Sequence, residues 1–470
     1  MRFLDSKLPT PLLILATGEF FILVANTLLL QTWLAPAAYG PVRIATPLLV
    51  SLFCFLSMFG MGVYESRRRE GYVGMMLRTA VALFLIALIA LTLLASLSAQ
   101  LAAMQTVFVY SIGSSFLLLA GWRALFPLLV PETRFRKRIL VFGSGDRALR
   151  IASRTRRESD QKRFLLIGFA RDSAASDGDS VSRVGAATFD LGGTSLLALC
   201  HSLSVDELVV ALDDSTMDTP DLRHSVIAQL SECRMSGIVV IEASEFIERE
   251  QRRLDIDLLS ARQVALGPSF SMDARRVLIK RVFDVFAGVA LLLMLWPLML
   301  ATALAIFLES KGGGSILLRQ ERVGLRGRTF VQLKFRSMVE NAEPDGPTWT
   351  RPNDSRITRV GAFIRSTRLD EFPQLFNVLR GEMSFVGPRP ERPIFVRQFE
   401  AEIPFYAARH LVKPGITGWA QLRYPYGASA KDAKEKLQYD LYYLKRQSVL
   451  FDLVIMLQTV EVILVGEGAR

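Results

Sequence analysis

The sequence is poor in the residues that build metal centres and covalent cross-links. Its 470 residues include three cysteines and three histidines. Cys54, Cys200 and Cys233 are scattered, so neither a disulfide framework nor a zinc spacing can be drawn, and a reducing compartment is expected. His201, His224 and His410 are equally dispersed. That excludes a histidine-based metal site and leaves a hard cation on carboxylates as the metal chemistry open to this chain. A cleavable leader is also missing: the first apolar run is too long for a signal peptide, and no small-residue cleavage site follows it. There is no acidic excess. Fifty-six Lys and Arg face 45 Asp and Glu, for a net charge of +11. Such a balance suits nucleic acid, phosphate-rich substrates or an anionic membrane face, and the placement of the charges, described next, points away from nucleic acid.

What the chain has in plenty is hydrophobic length. Apolar residues make up 51% and mean hydropathy is +0.31. Four apolar runs, near 11–33, 44–64, 79–104 and 106–130, each supply the roughly 20 residues that a spanning helix needs. Glu19 interrupts the first and is expected to face a neighbouring helix or to serve a function. Arg2 and Lys7 precede that run, Arg67, Arg68, Arg69 and Arg78 lie between the second and third, and "RFRKR" follows the fourth. By the positive-inside rule the N-terminus and everything after residue 131 are cytoplasmic. Arg123, near the end of the fourth run, is expected to snorkel. The length allows about three domains, and this membrane part would be residues 1–134.

A second region reads as α/β. "RILVFGSGDRALRIASR" is a short apolar run, a Gly-x-Gly turn and a helical pattern. Gly143, Gly145 and Ala148 satisfy the spacing of a dinucleotide-binding loop, in which glycines let the backbone approach a phosphate at a helix N-terminus. "FLLIGF", "VDELVVAL" and "GIVVIEA" add strand-like runs. A Rossmann-like domain over 135–262, then a linker at 263–276, is the expectation. No acidic residue closes the second strand; Asp172 stands late for that role. The loop therefore reads as vestigial, in a domain that is structural or regulatory.

From Lys280 to Gly312 runs another long apolar segment. Arg275, Arg276, Lys280 and Arg281 precede it, Lys311, Arg319, Arg322, Arg326 and Arg328 follow it, and Pro297 sits near its middle. Both ends are marked cytoplasmic, and the proline disrupts helix hydrogen bonding. A broken, re-entrant helix over about 277–310 is expected, with a kinked spanning helix as the alternative.

"RQERVGLRGRTFVQLKFRSM" follows, a cluster of basic residues fit for phosphate oxygens or lipid headgroups. Then comes "RLDEFPQLFNVLRGE". Phe372, Leu375, Phe376 and Leu379 fall on one helix face, Pro373 fits a first turn and Gly381 a stop. Asp370 and Glu371 therefore lie at a helix N-terminus, about 100° apart around the axis if helical. One could attack phosphorus while the other holds a metal, or both could be ordinary caps. The C-terminal run "SVLFDLVIMLQTVEVILVG", interrupted by Asp452 and Glu461, reads as a packed or interfacial helix with a stripe of Leu450, Leu453, Leu457 and Leu464.

Taken in order, "KRVFD", "QERVG", "KFRSM", "RSTRLDEFPQLFNVLRGEMSFVGPRPE", "KPGITGWAQ" and "YDLYYL" resemble bacterial sugar transferases of the polyprenyl-phosphate phosphoglycosyl transferase family. The resemblance covers about 275–470. The layout ahead of it resembles the long subgroup that starts exopolysaccharide, capsule or O-antigen synthesis. It implies a multi-domain protein of the bacterial inner membrane: four transmembrane helices, a Rossmann-like cytoplasmic domain, and a mainly α catalytic domain (277–470) on the cytoplasmic side. It implies a UDP-sugar and polyprenyl (undecaprenyl) phosphate as substrates, UMP as product, Mg2+ as cofactor and a homodimer by analogy. Asp370 would be the nucleophile and Glu371 its partner, both near the metal. Arg365 and Arg389 would meet substrate phosphates, with Lys334, Arg336 and Gln374 beside them. The family's membrane helix usually breaks at Ser-Pro; here the pair is Trp296-Pro297. Two other readings stay open: a membrane-bound NAD-dependent nucleotide-sugar oxidoreductase or epimerase, and a regulator of polysaccharide assembly without catalysis.

Overall fold

Hydrophobic length is realised as helix. The computed structural model describes residues 10–34, 42–61, 63–64, 72–95, 99–130, 136–155, 164–171, 180–181, 185–213, 220–259, 273–311, 313–340, 342, 354–424, 427 and 429–465. The chain divides into two compact units between Gln251 and Arg252.

The first unit opens with four helices, α1 (Thr10–Leu34), α2 (Val42–Gly60), α3 (Tyr72–Ala95) and α4 (Ala99–Leu129). Each packs against two of the others. By length and composition, Pro11–Leu34 and Val107–Leu129 can cross a membrane, while Pro47–Gly60 and Gly74–Phe84 are shorter apolar stretches among the described residues. Arg123 does not snorkel. Its side chain is fully buried and forms an ion pair with Glu19 at 2.5 Å, while a second nitrogen bonds the other carboxylate oxygen at 2.7 Å. Tyr64 donates to the same carboxylate at 2.6 Å, and Arg123 also bonds Thr79. A buried guanidinium is tolerated where a carboxylate and hydroxyls stand in for water.

The same unit holds a five-stranded, all-parallel sheet in the order β3-β2-β1-β4-β5. The strands are β1 (Lys137–Phe142), β2 (Phe164–Arg171), β3 (Thr188–Asp190), β4 (Glu207–Val210) and β5 (Val239–Glu242). Short helices connect them: α5 (Asp146–Arg154), α6 (Leu196–Ser202) and α7 (Pro220–Met235), with α8 (Ala243–Gln251) after β5. This is the doubly wound order with its switch point between β1 and β4. Leu140, Phe142, Leu208, Cys200 and Cys233 lie in its buried core, so these two cysteines are packing residues. The three-residue β3 has no periodicity to read and went unforeseen from sequence. Asp172 lies outside the described residues.

The second unit begins with a segment that packs on its own C-terminal helices. Leu254 N donates to Gln438 O at 3.0 Å, and Trp419 Nε1 donates to Arg252 O at 2.9 Å. Helix α9 (Ala274–Glu309) carries Pro297 and is a third segment long and apolar enough to cross a membrane. Around the proline, Leu293, Met294, Trp296 and Leu298 are exposed. A hairpin of β6 (Leu317–Val323) and β7 (Thr329–Phe335) follows, then α10 (Arg359–Ser366), a 3-10 turn (Leu369–Glu371), α11 (Gln374–Arg380) and β8 (Ser384–Val386). Next come α12 (Pro393–Glu402), a 3-10 helix (Tyr406–Leu411), β9 (Gly415–Thr417), which pairs in parallel with β8, α13 (Trp419–Arg423), α14 (Ala430–Arg446) and α15 (Val449–Val465). Helix α15 packs through Phe451, Asp452, Ile455 and Gln458, while Leu450 and Leu453 of the expected leucine stripe are exposed. Its buried Asp452 takes the Lys280 ammonium at 2.5 Å and the Tyr443 hydroxyl at 2.8 Å.

Candidate active site

Asp370 and Glu371 stand on the 3-10 turn that leads into α11. Arg368, just before it, holds a left-handed backbone (φ 59°), a conformation that costs a non-glycine residue about 1 kcal/mol. Gly381 ends α11 at φ 85°, as the sequence pattern requires. The apolar stripe is less regular than expected: Phe376 is exposed, and Gln374 and Asn377 are buried with Leu375 and Val378.

Helix α9 pins α11 in place. Arg281 donates to the carbonyls of Val378 and Leu379, both at 2.6 Å, capping the C-terminal end of α11. Asp284 accepts from Ser384 Oγ at 3.0 Å and Phe385 N at 3.3 Å, tying the helix to β8. Three polar residues of "KRVFD" (Lys280, Arg281 and Asp284) are thus structural anchors. The "VGPRP" loop is squeezed past the loop around β9. A Cβ on Gly387 would stand 2.3 Å from Lys413 O, and one on Gly418 would stand 2.2 Å from Gly387 O. Arg389, two residues beyond Gly387, reaches Glu371 on the turn.

The two neighbouring carboxylates differ. Glu371 is buried, with Lys334 Nζ at 3.1 Å and Arg389 Nη1 at 3.6 Å from its Oε1. Burial alone would raise its pKa; Lys334 and Arg389, then Arg368, outweigh that and hold it below the usual carboxylate range. Asp370 is half-buried and makes no hydrogen bond or ion pair among the described residues. Burial, then the charge of Glu371, push its pKa up against the pull of Lys334, Arg365 and Arg368. Burial lowers the Lys334 pKa in turn, with Glu371 opposing. One carboxylate is therefore locked as an anion under two cations, and the other is left free beside them. A free carboxylate among guanidinium and ammonium groups can bind a metal ion or attack an electrophilic phosphorus.

Of the residues singled out in the sequence, Lys334, Glu371 and Arg389 touch, and Asp370 and Arg365 lie within electrostatic reach. Gln374 is buried and its amide nitrogen has no partner among the described residues. Arg336 is directed elsewhere: it donates to Gly313 O at 3.2 Å. Asn377 escaped the sequence reading. No pattern marks a lone asparagine on a helix whose neighbours are apolar.

The glycine loop of the sheet unit forms the expected strand–turn–helix. Gly143 has φ 131°, and a Cβ there would lie 2.4 Å from Ala211 O. Gly145 caps α5, and Ala148 is buried against the sheet. The helix N-terminus is already filled, however. The Asp213 carboxylate accepts from Asp146 N at 2.9 Å and Arg147 N at 3.0 Å, where a pyrophosphate would sit in a dinucleotide-binding fold. Strand β2 ends in Arg171, paired with Asp190 at 2.9 Å.

The structure thus defines a membrane protein with a parallel α/β sheet and, in its second unit, a carboxylate pair ringed by phosphate-type cations. The chain belongs to the bacterial sugar transferase family, which matches residues 275–466. It is 45% identical over 242 residues to the UDP-N-acetylgalactosamine-undecaprenyl-phosphate N-acetylgalactosaminephosphotransferase of Aeromonas hydrophila, covering 51% of this chain and 56% of that protein. Over 216 residues it is 41% identical to the UDP-glucose:undecaprenyl-phosphate glucose-1-phosphate transferase of Caulobacter vibrioides, covering 45% of this chain and 78% of that protein. A protein of the same name from Xanthomonas campestris pv. campestris is 44% identical over 186 residues, 39% of this chain and 38% of its own length. The matches to the Aeromonas and Xanthomonas proteins span less than two thirds of either.

Proposed function

We propose that this protein transfers a sugar-1-phosphate from a UDP-sugar to undecaprenyl phosphate, releasing UMP, as the initiating step of a surface polysaccharide. The observation that carries the reading is the asymmetric pair: a free Asp370 beside a Glu371 held anionic by Lys334 and Arg389. The names of the relatives support the substrate class, and since they carry two different sugars they leave the sugar open.

In the first half-reaction a carboxylate oxygen of Asp370 attacks the β-phosphorus of the UDP-sugar. The bond from that phosphorus to the bridging oxygen breaks, UMP leaves with the electron pair, and an aspartyl sugar-phosphate remains. In the second, a phosphate oxygen of the lipid attacks the same phosphorus and Asp370 departs as carboxylate, giving the undecaprenyl diphosphosugar. Lys334, Arg365 and Arg389 neutralise charge that would otherwise repel an anionic nucleophile from an anionic substrate. Gln374, whose amide nitrogen has no partner among the described residues, is a donor left for substrate oxygens.

Mg2+ ordinarily takes one or two carboxylates and fills its remaining positions with water and substrate phosphate. Asp370 and Glu371 fit that demand, and no group of three or more acidic, His or Cys ligands stands among the described residues to form an all-protein cage. Bound there, the ion would supply Lewis-acid neutralisation of the pyrophosphate.

The membrane arrangement follows the charges: α1 to α4 span the inner membrane as a bundle, and α9 bends at Pro297 and returns to the cytoplasmic face. A straight helix would hold Arg281 and Glu309 about 42 Å apart. Yet Arg281 bonds Val378 and Leu379, while Glu309 accepts from Val360 N at 3.1 Å, so both ends reach a stretch of short helices between 360 and 379. The test is UMP release by the full-length protein, in lipid nanodiscs, with undecaprenyl phosphate, Mg2+ and a panel of UDP-sugars. Release with at least one sugar that requires the lipid for turnover is expected; no release across the panel refutes the assignment.

A further inference from the structure

Asn377 lies on α11 two turns beyond the carboxylate pair and is completely buried. A buried amide must find partners, and its carboxamide has one acceptor and two donor hydrogens to place. Its Oδ1 accepts from Leu333 N at 3.0 Å, and its Nδ2 donates to Val331 O at 2.7 Å. The amide therefore lies along the edge of β7 that β6 leaves uncovered, meeting the strand as a neighbouring peptide group would. Lys334, which follows Leu333 directly, carries the ammonium that reaches Glu371. Among the described residues no other hydrogen bond joins α11 to β7.

The second donor hydrogen of Nδ2 goes to Glu382 Oε2 at 2.6 Å, and the backbone carbonyl of Asn377 accepts from Glu382 N at 3.0 Å. Two residues further on begins β8, which leads into the loop bearing Arg389. Asn377 thus stands where the elements carrying Lys334, the carboxylate pair and Arg389 meet. It touches none of the three itself.

We propose that Asn377 is a positioning residue for the phosphoryl transfer, its carboxamide fixing β7 against α11 so that Lys334 stands on Glu371. This rests on the reaction proposed above, but one of its two readouts does not. Burial and ion pairing shield the Lys334 amine from reagents. In the full chain in nanodiscs, Asn377→Ala should therefore raise acylation of Lys334 by an amine-reactive ester several-fold, read by peptide mass spectrometry, with other lysines unchanged. Turnover should fall about tenfold. The double variant N377D/E382Q keeps an acceptor for Leu333 N and restores a donor between positions 377 and 382, while Val331 O loses its donor. It should therefore recover the wild-type labelling and rate only in part. Should Asn377→Ala fail to fold by thermal melt, Asn377→Leu, which fills a similar volume without the amide, is read in the same way. A folded variant with wild-type Lys334 labelling overturns the proposal. If the wild type releases no UMP, the reaction is wrong, and the labelling still decides the positioning.

Discussion

Two helix entries in this protein resemble each other in outline and differ in electrical state. At α5, Gly143 and Gly145 open the backbone to a phosphate, and Asp213 already sits on the amides of Asp146 and Arg147. Before α11, the chain presents its own carboxylates with several cations around them: Lys334 and Arg389 share Glu371, with Arg365 and Arg368 near Asp370. The first entry is saturated from within; the second is lined by cations of the kind that bind an anionic substrate. A glycine spacing reports where a backbone can come close, but the charge balance decides whether a ligand is wanted there.

The comparison can be broken most severely at Asp370. Asp370→Asn keeps the size and removes the attacking anion, so UMP release should fall by several orders of magnitude, each tenfold step being about 1.4 kcal/mol. Wild type given UDP-sugar without lipid should hold a sugar-phosphate on the peptide containing Asp370. An adduct formed by the Asn variant at the wild-type rate would place the nucleophile elsewhere.

Lys334→Met tests the cation cluster. Since Lys334 lowers the pKa of both carboxylates, its loss should raise them and shift the acid limb of turnover upward. The sign follows from Asp370: its pKa is already above that of a free aspartate, so the reactive anion is lost as pH falls through that raised value. A rate drop of roughly a hundredfold is expected, and an unmoved acid limb would remove Lys334 from the site.

Gly143→Val should act on folding rather than on chemistry. Its Cβ would enter Ala211 O at a φ that valine avoids, at a cost of roughly 1–3 kcal/mol, seen as a lower melting temperature. The smallest effect is expected at Asp213. Asp213→Ala frees the α5 amides and should cost about 1 kcal/mol of stability, with transfer by the remaining folded protein within twofold of wild type. Loss of transfer from a stably folded Asp213 variant would show that the sheet unit takes part in turnover.

Much of this was legible in the sequence, for reasons that differ by element. The apolar runs announced α1 to α4 because hydrophobic length needs no partner to be read. Gly381 and Pro373 punctuated α11 because their backbone limits are local. The Glu19–Arg123 pair, by contrast, joins residues 104 apart in sequence, and no window along the chain contains both. Asn377 hides in the same way, since its partners lie on a strand more than 40 residues earlier. Arg336 shared a basic cluster with Lys334, yet it stands just past the end of β7 at Phe335 and turns to the Gly313 carbonyl. Composition could name the cluster; only the partners each side chain finds in the fold separated its members.

The separation between Glu19 and Arg123 also sets an order of events during synthesis. A ribosome adding about 5–20 residues per second delivers the first helix on the order of ten seconds before the guanidinium that matches its carboxylate. Until then Glu19 is an ionisable group on an otherwise hydrophobic helix, with Tyr64 and Thr79 arriving in between. The fourth helix therefore closes the set, and a nascent chain halted before it would carry an orphan acid, the kind of defect that membrane quality control is equipped to detect.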